Sequence, residues 1–254
     1  MKAVMARSIL KTMLSHLSIV GVEDVDITFL ESGWYISSKD ANNVAIVQIN
    51  IWKECMDSYE FEPYQADYSE RLKQDPTDET AVAPQRASIP YRKLVESVNV
   101  IPDGQPVTVI SDSSFFILES GPIHITIRQG FGFNSVEFRR IEPAFVFGIA
   151  TERLEKVLPL CRDITDEVIV HVDGNGLDIS VADESLTGVK YSDSEVTSEE
   201  PQEAYYPLDY LSEAFRMIKG DVLIQFQSNF PMILTTNKPF TTTFFLAPRI
   251  HEGD

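Results

Sequence analysis

The stretch from Asp24 to Asp40, DVDITFLESGWYISSKD, returns in altered form from Asp166 to Asp183 as DEVIVHVDGNGLDISVAD. Four positions match at one constant offset: Gly33, Ile36, Ser37 and Asp40 correspond to Gly176, Ile179, Ser180 and Asp183. A later part repeats as well, because Val107, Val109, Ser113 and Phe115 line up with Val222, Ile224, Ser228 and Phe230. Repeats of this kind mark duplicated structural units, so the sequence predicts one module written twice.

The length and composition of the chain suit two similar globular domains. The chain has 254 residues, of which 43% are hydrophobic, enough for a sizeable core. Its two cysteines, Cys55 and Cys161, lie far apart without a second thiol or histidine at ligand spacing, so we predict neither a disulfide framework nor a metal site. The apolar run of the first 22 residues is interrupted by Lys11 and His16, which argues against a signal peptide. These features favour a reducing, intracellular setting without a membrane span.

The spacing of apolar residues predicts an α+β fold with antiparallel sheets. Helical periodicity covers four segments, and β-branched runs punctuated by turn residues predict strands between them. The chain is expected to form an N-terminal domain (1–128), a connector (129–143) and a C-terminal domain (144–254), each domain a duplicated β-α-β-β-β unit. The acidic segment from Glu60 to Arg86 lacks periodicity and is expected to be weakly ordered. The helical segments are Arg7 to Val20, Pro90 to Val98, Thr151 to Arg162 and Asp209 to Lys219.

Charge is distributed unevenly between these helices and the rest of the chain. The net charge is −18, which by itself argues against nucleic-acid binding. The four predicted helices, however, hold nine basic and five acidic side chains, a balance of +4 that leaves −22 for the remainder. The contrast indicates a cationic helical face in an anionic protein.

Several short strings resemble those of sliding clamps of the proliferating cell nuclear antigen (PCNA) type, in family order and over nearly the whole chain. They are Ser8 to Lys11 at the start of the first helix, the loop and strand from Lys39 to Val47, the helix start from Leu208 to Leu211, and the terminal segment from Phe245 to Ile250.

The resemblance implies a homotrimeric ring that encircles double-stranded DNA, with helices on the inner face and sheets outside. A clamp of this kind has no catalytic role and no cofactor; it acts as a processivity factor in replication and repair. Cationic helix residues would meet phosphates without reading sequence. By position these are Lys11, Lys93, Lys156 and Arg216, with Arg7, Arg92, Arg153 and Lys219 as neighbours.

The resemblance also implies a partner site and a subunit interface. DNA polymerase, the clamp loader and other clamp-interacting-peptide proteins would insert apolar anchors into a pocket under the connector. The matching residues are Val44, Ile46, Val136, Phe138, Ile141, Phe230, Pro231, Phe245, Leu246, Ala247 and Pro248. Ring closure is expected to pair an edge strand of one subunit with that of the next, through Phe115, Phe116, Ile117, Leu118, Val189 and Tyr191.

Departures from the family pattern indicate a divergent member, among them a segment from Glu60 to Arg86 that is longer than the corresponding turn. Lys39 replaces an apolar residue beside the pocket, Arg139 and Arg140 make the connector more basic, and several inner-face cations are absent, since Thr12, Ser18 and Pro159 stand in their places. Two other classes of protein stay open: a non-ring or hetero-oligomeric clamp-like scaffold, and a carboxylate-dependent hydrolase. The resemblance implies a cytoplasmic location in an archaeon or a nuclear one in a eukaryote.

Overall fold

The computed structural model describes residues 1–61, 85–112, 114–130, 145–161, 164–182 and 188–250. The chain forms two compact units. The first consists of Met1–Leu14, Val22–Ser37 and Ile49–Ser135, and the second of Ser15–Gly21, Ser38–Gln48 and Val136–Asp254. These units differ from the contiguous domains predicted above, because two short segments from the N-terminal half belong to the second unit.

The elements of the first half of the chain are β1 (Lys2–Ala6), α1 (Arg7–Leu17), β2 (Asp24–Leu30), β3 (Gly33–Lys39), β4 (Ala45–Trp52), β5 (Ser58–Glu60), β6 (Gln85–Pro90), α2 (Tyr91–Val100), β7 (Pro106–Ser111), β8 (Phe115–Ser120) and β9 (Ile123–Arg128). The first unit holds an antiparallel sheet in the order β5-β1-β7-β8-β9 and a second group of strands in the order β4-β3-β2-β6. Residues of β3 and β4 are divided between the two units.

The second unit repeats this plan, with strands in the orders β13-β12-β11-β14 and β10-β15-β16-β17-β4. Its elements are β10 (Phe145–Ala150), α3 (Thr151–Glu155), β11 (Glu167–Asp173), β12 (Gly176–Ala182), β13 (Gly188–Asp193), β14 (Gln202–Pro207), α4 (Leu208–Met217), β15 (Asp221–Phe226), β16 (Met232–Thr236) and β17 (Thr241–Leu246). The predicted α+β fold with antiparallel sheets is confirmed.

Two glycines show the duplication at atomic detail. Gly33 begins β3 and Gly176 begins β12, with φ of 136° and 145°, a backbone conformation that side chains rarely adopt. A Cβ atom at Gly33 would lie 2.1 Å from the carbonyl oxygen of Ile51, and one at Gly176 would lie 2.7 Å from that of Asp193. Both glycines therefore permit the same close approach to the third strand of a meander. The second repeat holds for Val107 and Val222, but Phe115 lies in β8 whereas Phe230 precedes β16.

The helices bury the apolar faces that the sequence predicts. In α1 the side chains of Ile9, Leu10, Met13, Leu14 and Leu17 are all buried. The helix predicted from Thr151 to Arg162 is shorter, since α3 ends at Glu155 and a 3₁₀ turn follows at Leu158–Cys161. Pro159 explains the break, because it lacks the N–H group that an α-helix needs at that position. None of the helices in the described ranges is long and apolar enough to cross a membrane.

Candidate functional site

The cations predicted to contact DNA fall into two groups according to their exposure. Seven of the eight predicted DNA-contacting residues have exposed side chains: Lys11, Arg92 and Lys93 in the first unit, and Arg153, Lys156, Arg216 and Lys219 in the second. Among the described residues, Lys11, Lys93 and Lys156 form no ion pair. These three lysines are therefore available to an anionic ligand without displacing a carboxylate.

The other four exposed cations are paired with carboxylates. Arg92 bonds Glu96 at 3.0 Å, one turn further along α2. The second unit has three such pairs, namely Arg216 with Glu213 at 2.5 Å, Lys219 with Glu155 at 2.5 Å, and Arg153 with Asp193 at 2.9 Å. Exposed pairs of this kind contribute only about 0–1 kcal/mol, so a phosphate can compete with them at small cost.

Arg7 is placed differently and has a structural role. Its residue is 6% exposed, and its guanidinium donates hydrogen bonds to the carbonyl oxygens of Val98 at 2.8 Å and Asn99 at 3.2 Å, and pairs with Asp103. Val98 and Asn99 lie in the last turn of α2, where carbonyl groups have no helical partner and the helix dipole favours a cation. Arg7 thus caps α2 from α1. This corrects the expectation that Arg7 belongs to the DNA-facing set.

An apolar surface in the second unit gathers most of the described residues predicted for the partner pocket. The chain running out of β17 lies beside the start of β4, since the amide of Ala247 donates to the carbonyl oxygen of Val44 at 2.8 Å. Val44, Ile46 and Ala247 are half-buried, and Phe245 is 9% exposed. Alternation along the strands places these four side chains on one face. Pro248, next in sequence, is also half-buried.

Leu246 points the other way and is corrected from a pocket residue to a core residue. It is 0% exposed and lies opposite Met232 in β16, which is also buried. The sequence did not identify Ile233, which pairs with Phe245 in register and therefore shares its face. Successive side chains of a strand point to opposite faces, and this alternation alone indicates that Leu246 points away from the face shared by Phe245 and Ala247.

Phe230 and Pro231 lie between β15 and β16. Phe230 is 40% exposed, a large apolar side chain open to solvent. Its backbone is fixed by the buried hydroxyl of Tyr206, which donates to the carbonyl oxygen of Phe230 at 2.8 Å. The predicted connector residues Val136, Phe138 and Ile141 lie outside the described residues.

The loop before β4 is organised by one carboxylate. Asp40 accepts hydrogen bonds from the amides of Ala45 at 2.7 Å and Asn42 at 2.9 Å, and from the hydroxyl of Tyr210 at 2.9 Å. Burial alone would raise the pKa of Asp40, but these bonds together lower it below its ordinary value. Tyr210 belongs to α4, so the string from Leu208 to Leu211 is joined to the loop that follows Lys39. Two of the four strings that carry the family resemblance thus meet in one hydrogen-bonded contact.

The strand edges correct the predicted subunit interface. Strand β8 lies between β7 and β9, paired on both sides, and its Phe116 and Leu118 are fully buried. The prediction that β8 is an edge strand is therefore wrong, and Phe115, Phe116, Ile117 and Leu118 are internal sheet residues. Within the described ranges, the edge strand on that side of the sheet is β9, and β5 lies at the opposite edge. Strand β13, with Val189 and Tyr191, is an edge of its sheet as expected.

This combination of duplicated units, antiparallel sheets and amphipathic helices defines the DNA clamp fold. Two solved structures of that fold are PCNA proteins. PCNA of A. fulgidus, solved with the C-terminal region of FEN-1 bound, matches with a TM-score of 0.82 and 18% identity over 99% of both chains. PCNA of Thermococcus kodakaraensis matches with a TM-score of 0.79 and 11% identity over 98% of this chain and 99% of that one. No family model and no curated protein matches the sequence. The chain therefore has a PCNA-type clamp fold.

Proposed function

We propose that this chain is a DNA sliding clamp that acts by binding and not by catalysis. The observation that carries the proposal is the match of the whole chain to PCNA structures, with TM-scores of 0.82 and 0.79. In this role the protein encircles duplex DNA and tethers DNA polymerase and other replication and repair proteins to it.

Seven exposed cations in or just after the helices support the DNA-binding part of the proposal. Lys11, Lys93 and Lys156 supply attraction to phosphates, and Arg92, Arg153, Arg216 and Lys219 can exchange their carboxylate partners for phosphate. With so few free cations on a chain of net charge −18, binding to DNA outside a ring should be weak. Retention would depend on the closed ring, which also leaves the protein free to slide.

The apolar face around Val44 and Phe245 supports the tethering part. A PCNA with this fold has been solved with the C-terminal region of FEN-1 bound. We infer that client peptides with apolar and aromatic anchors bind this chain at Val44, Ile46, Phe245 and Ala247, with Phe230 and Pro231 beside them. A few buried anchors would supply most of the affinity.

The edge strands of the sheets support ring closure through a different pair of strands from the one expected from the sequence. We infer that β9 of one subunit pairs with β13 of the next, because a fully paired β8 cannot accept a further strand. Antiparallel pairing of two exposed edges would also protect each of them from aggregation.

Retention on DNA with open and blocked ends tests the proposal directly. After loading, a ring should stay on linear duplex whose ends carry bulky blocks and should be lost within seconds from the same duplex with free ends. The mass in solution, measured by sedimentation, should be three times the 28.6 kDa of one chain. Equal retention on both duplexes, or a monomer at micromolar concentration, would favour the non-ring scaffold.

Client binding is tested separately with a synthetic peptide that carries apolar and aromatic anchors. Val44→Glu should abolish its saturable binding, because a carboxylate would be desolvated on the apolar face. Thermal melting verifies that the variant is folded. Unchanged affinity in a folded Val44→Glu protein would contradict the assignment of the pocket.

A further inference from the structure

The two units differ at one strand edge, and the difference leaves a groove in the second unit. In the first unit β1 lies between β5 and β7. Its β5 contacts follow the register Lys2 with Glu60, Ala3 with Tyr59, and Val4 with Ser58. In the second unit β10 pairs with β15, and among the described residues no strand lies on its other side.

The duplication fixes which residues of β10 correspond to those covered in β1. Met5 lies opposite Val107 and Ile149 lies opposite Val222, and Val107 and Val222 are matched positions of the repeat. Counting back, Val146, Phe147 and Gly148 occupy the places of Lys2, Ala3 and Val4. The carbonyl oxygen of Val4 accepts a hydrogen bond from the amide of Asp57 at 2.8 Å. Because backbone groups of alternate residues point to the same side of a strand, those of Lys2 and Val4 both point toward β5. Val146 and Gly148 therefore present theirs along the open edge.

A groove of about 600 Å³ runs along this edge. It is bordered by β10 on one side and by the segment that follows β13, including Glu195 and Val196, on the other. The volume falls within the range of about 300–1,000 Å³ that is typical of ligand sites. Gly148 at the middle of the strand has no side chain to obstruct a second backbone, and a glycine inside a strand often marks such an approach.

Charge selects the kind of chain that would fit. Arg153 and Asp193 at the groove neutralise each other through their ion pair at 2.9 Å. Glu195 and Asp221 also line the groove; Glu195 attracts Arg153 as well, but that single cation leaves the acids in excess. Val146 and Val196 add apolar side chains to a lining that is otherwise mainly polar. The groove thus has a mixed surface whose charged side chains, one basic and three acidic, sum to −2.

We propose that the open edge of β10 binds an extended, basic peptide segment of a partner protein, which adds to the sheet as a strand. It would take the place that β5 takes on β1, with backbone hydrogen bonds to Val146 and Gly148 and with lysine or arginine side chains near Glu195 and Asp221. This site is separate from the face around Val44 and Phe245, and it does not depend on ring formation.

The test uses two peptides derived from the chain itself. One copies residues 57–61, DSYEF, and the other is KSYKF, in which lysine replaces both acids. The full chain labelled with ¹⁵N is titrated with each peptide by NMR. KSYKF should bind saturably, with a Kd on the order of 1 mM, and should shift the amide signals of β10. DSYEF should bind at least about fivefold more weakly because of like charges in the groove.

Two variants and one control complete the test. Val146→Pro removes an amide donor on the open side and should therefore abolish KSYKF binding. The variant should still fold, because proline is tolerated at a sheet edge. Glu195→Lys should weaken KSYKF and strengthen DSYEF, each by severalfold. Glu31→Lys makes the same charge change in the other unit, at a residue that does not line the groove, and should alter neither affinity.

The inference is overturned if KSYKF shifts no β10 signals, or if Glu195→Lys and Glu31→Lys behave alike. Self-association that Val146→Pro abolishes in the absence of peptide would identify a second copy as the occupant and would also overturn it. None of these outcomes alters retention on end-blocked DNA, so a failure here is distinguishable from a failure of the clamp assignment.

Discussion

Replacing Arg7 by methionine separates a structural role from a DNA-binding role. Methionine keeps an apolar stem of similar length but leaves the carbonyl oxygens of Val98 and Asn99 without the guanidinium that now lies 2.8 and 3.2 Å away. Hydrogen bonds to a charged group contribute about 1.5–3 kcal/mol, and a cation at a helix C-terminus adds up to about 1 kcal/mol. We expect Arg7→Met to reduce the free energy of unfolding by about 3 kcal/mol. In a chain of this size that corresponds to a Tm lower by about 6–12 °C.

Urea unfolding of the variant and of two controls measures this loss. Asp103→Ala removes the ionic partner of Arg7; because the Asp103 side chain is 85% exposed, this change should cost less than about 1 kcal/mol. Lys11→Ala, one turn further along α1, should leave stability unchanged and reduce DNA affinity. If Arg7→Met keeps wild-type stability while weakening DNA binding as Lys11→Ala does, Arg7 is a phosphate contact and the capping argument is refuted.

Three further predictions concern charge and the pocket loop. Burial lowers the pKa of His16 from 6.5 to about 4, so the folded state favours the neutral imidazole. The free energy of unfolding should therefore be unaffected by this group above pH 6.5 and should fall by about 3 kcal/mol as the pH drops from 6.5 to 4. Unfolding of His16→Gln, measured over the same pH range, should lack this fall. Lys93→Ala should lower the slope of log K for DNA against log salt by about 1, whereas Lys53→Ala, outside the four helices, should not change it. Tyr210→Phe removes the hydroxyl that is hydrogen-bonded to Asp40. It should weaken the binding of a client peptide, measured by calorimetry, by up to about fivefold and should not affect DNA retention. An unchanged peptide affinity would show that the loop after Lys39 keeps its shape without the bond to α4.

Local patterns predicted most of the elements. Periodicity located the buried face of α1, and β-branched runs between the predicted helices form strands such as β7, β8, β11 and β12. Strand β1 was missed, because Lys2–Ala6 is short and runs directly into an amphipathic helix. The helix at Thr151 was predicted too long. Apolar residues continue at helical spacing past Pro159, but proline has no N–H group and cannot make the backbone hydrogen bond of an α-helix.

Site residues were predictable only where their function follows from local position. Exposure of Lys11 and Lys93 follows from the polar faces of α1 and α2, and Lys156 lies just after the end of α3. Arg7 lies on the same kind of face in α1, yet its partners come from α2, more than ninety residues further along the chain. The direction of Leu246 likewise depends on its register with Met232 in β16.

The sequence alone determined the duplicated plan, because a repeated strand pattern and a glycine at each close approach are local requirements that every copy must satisfy. Only the tertiary structure decided which strands are edges. Strand β8 is enclosed by β7 and β9, whereas β9 is an edge, although β8 and β9 have similar sequence patterns. Likewise β10 is open on the side where β1 is covered by β5, although β10 and β1 occupy matching places in the repeat. The physical reason is that an edge is defined by the absence of a neighbour, and neighbours are set by pairing between distant segments, which no local pattern encodes.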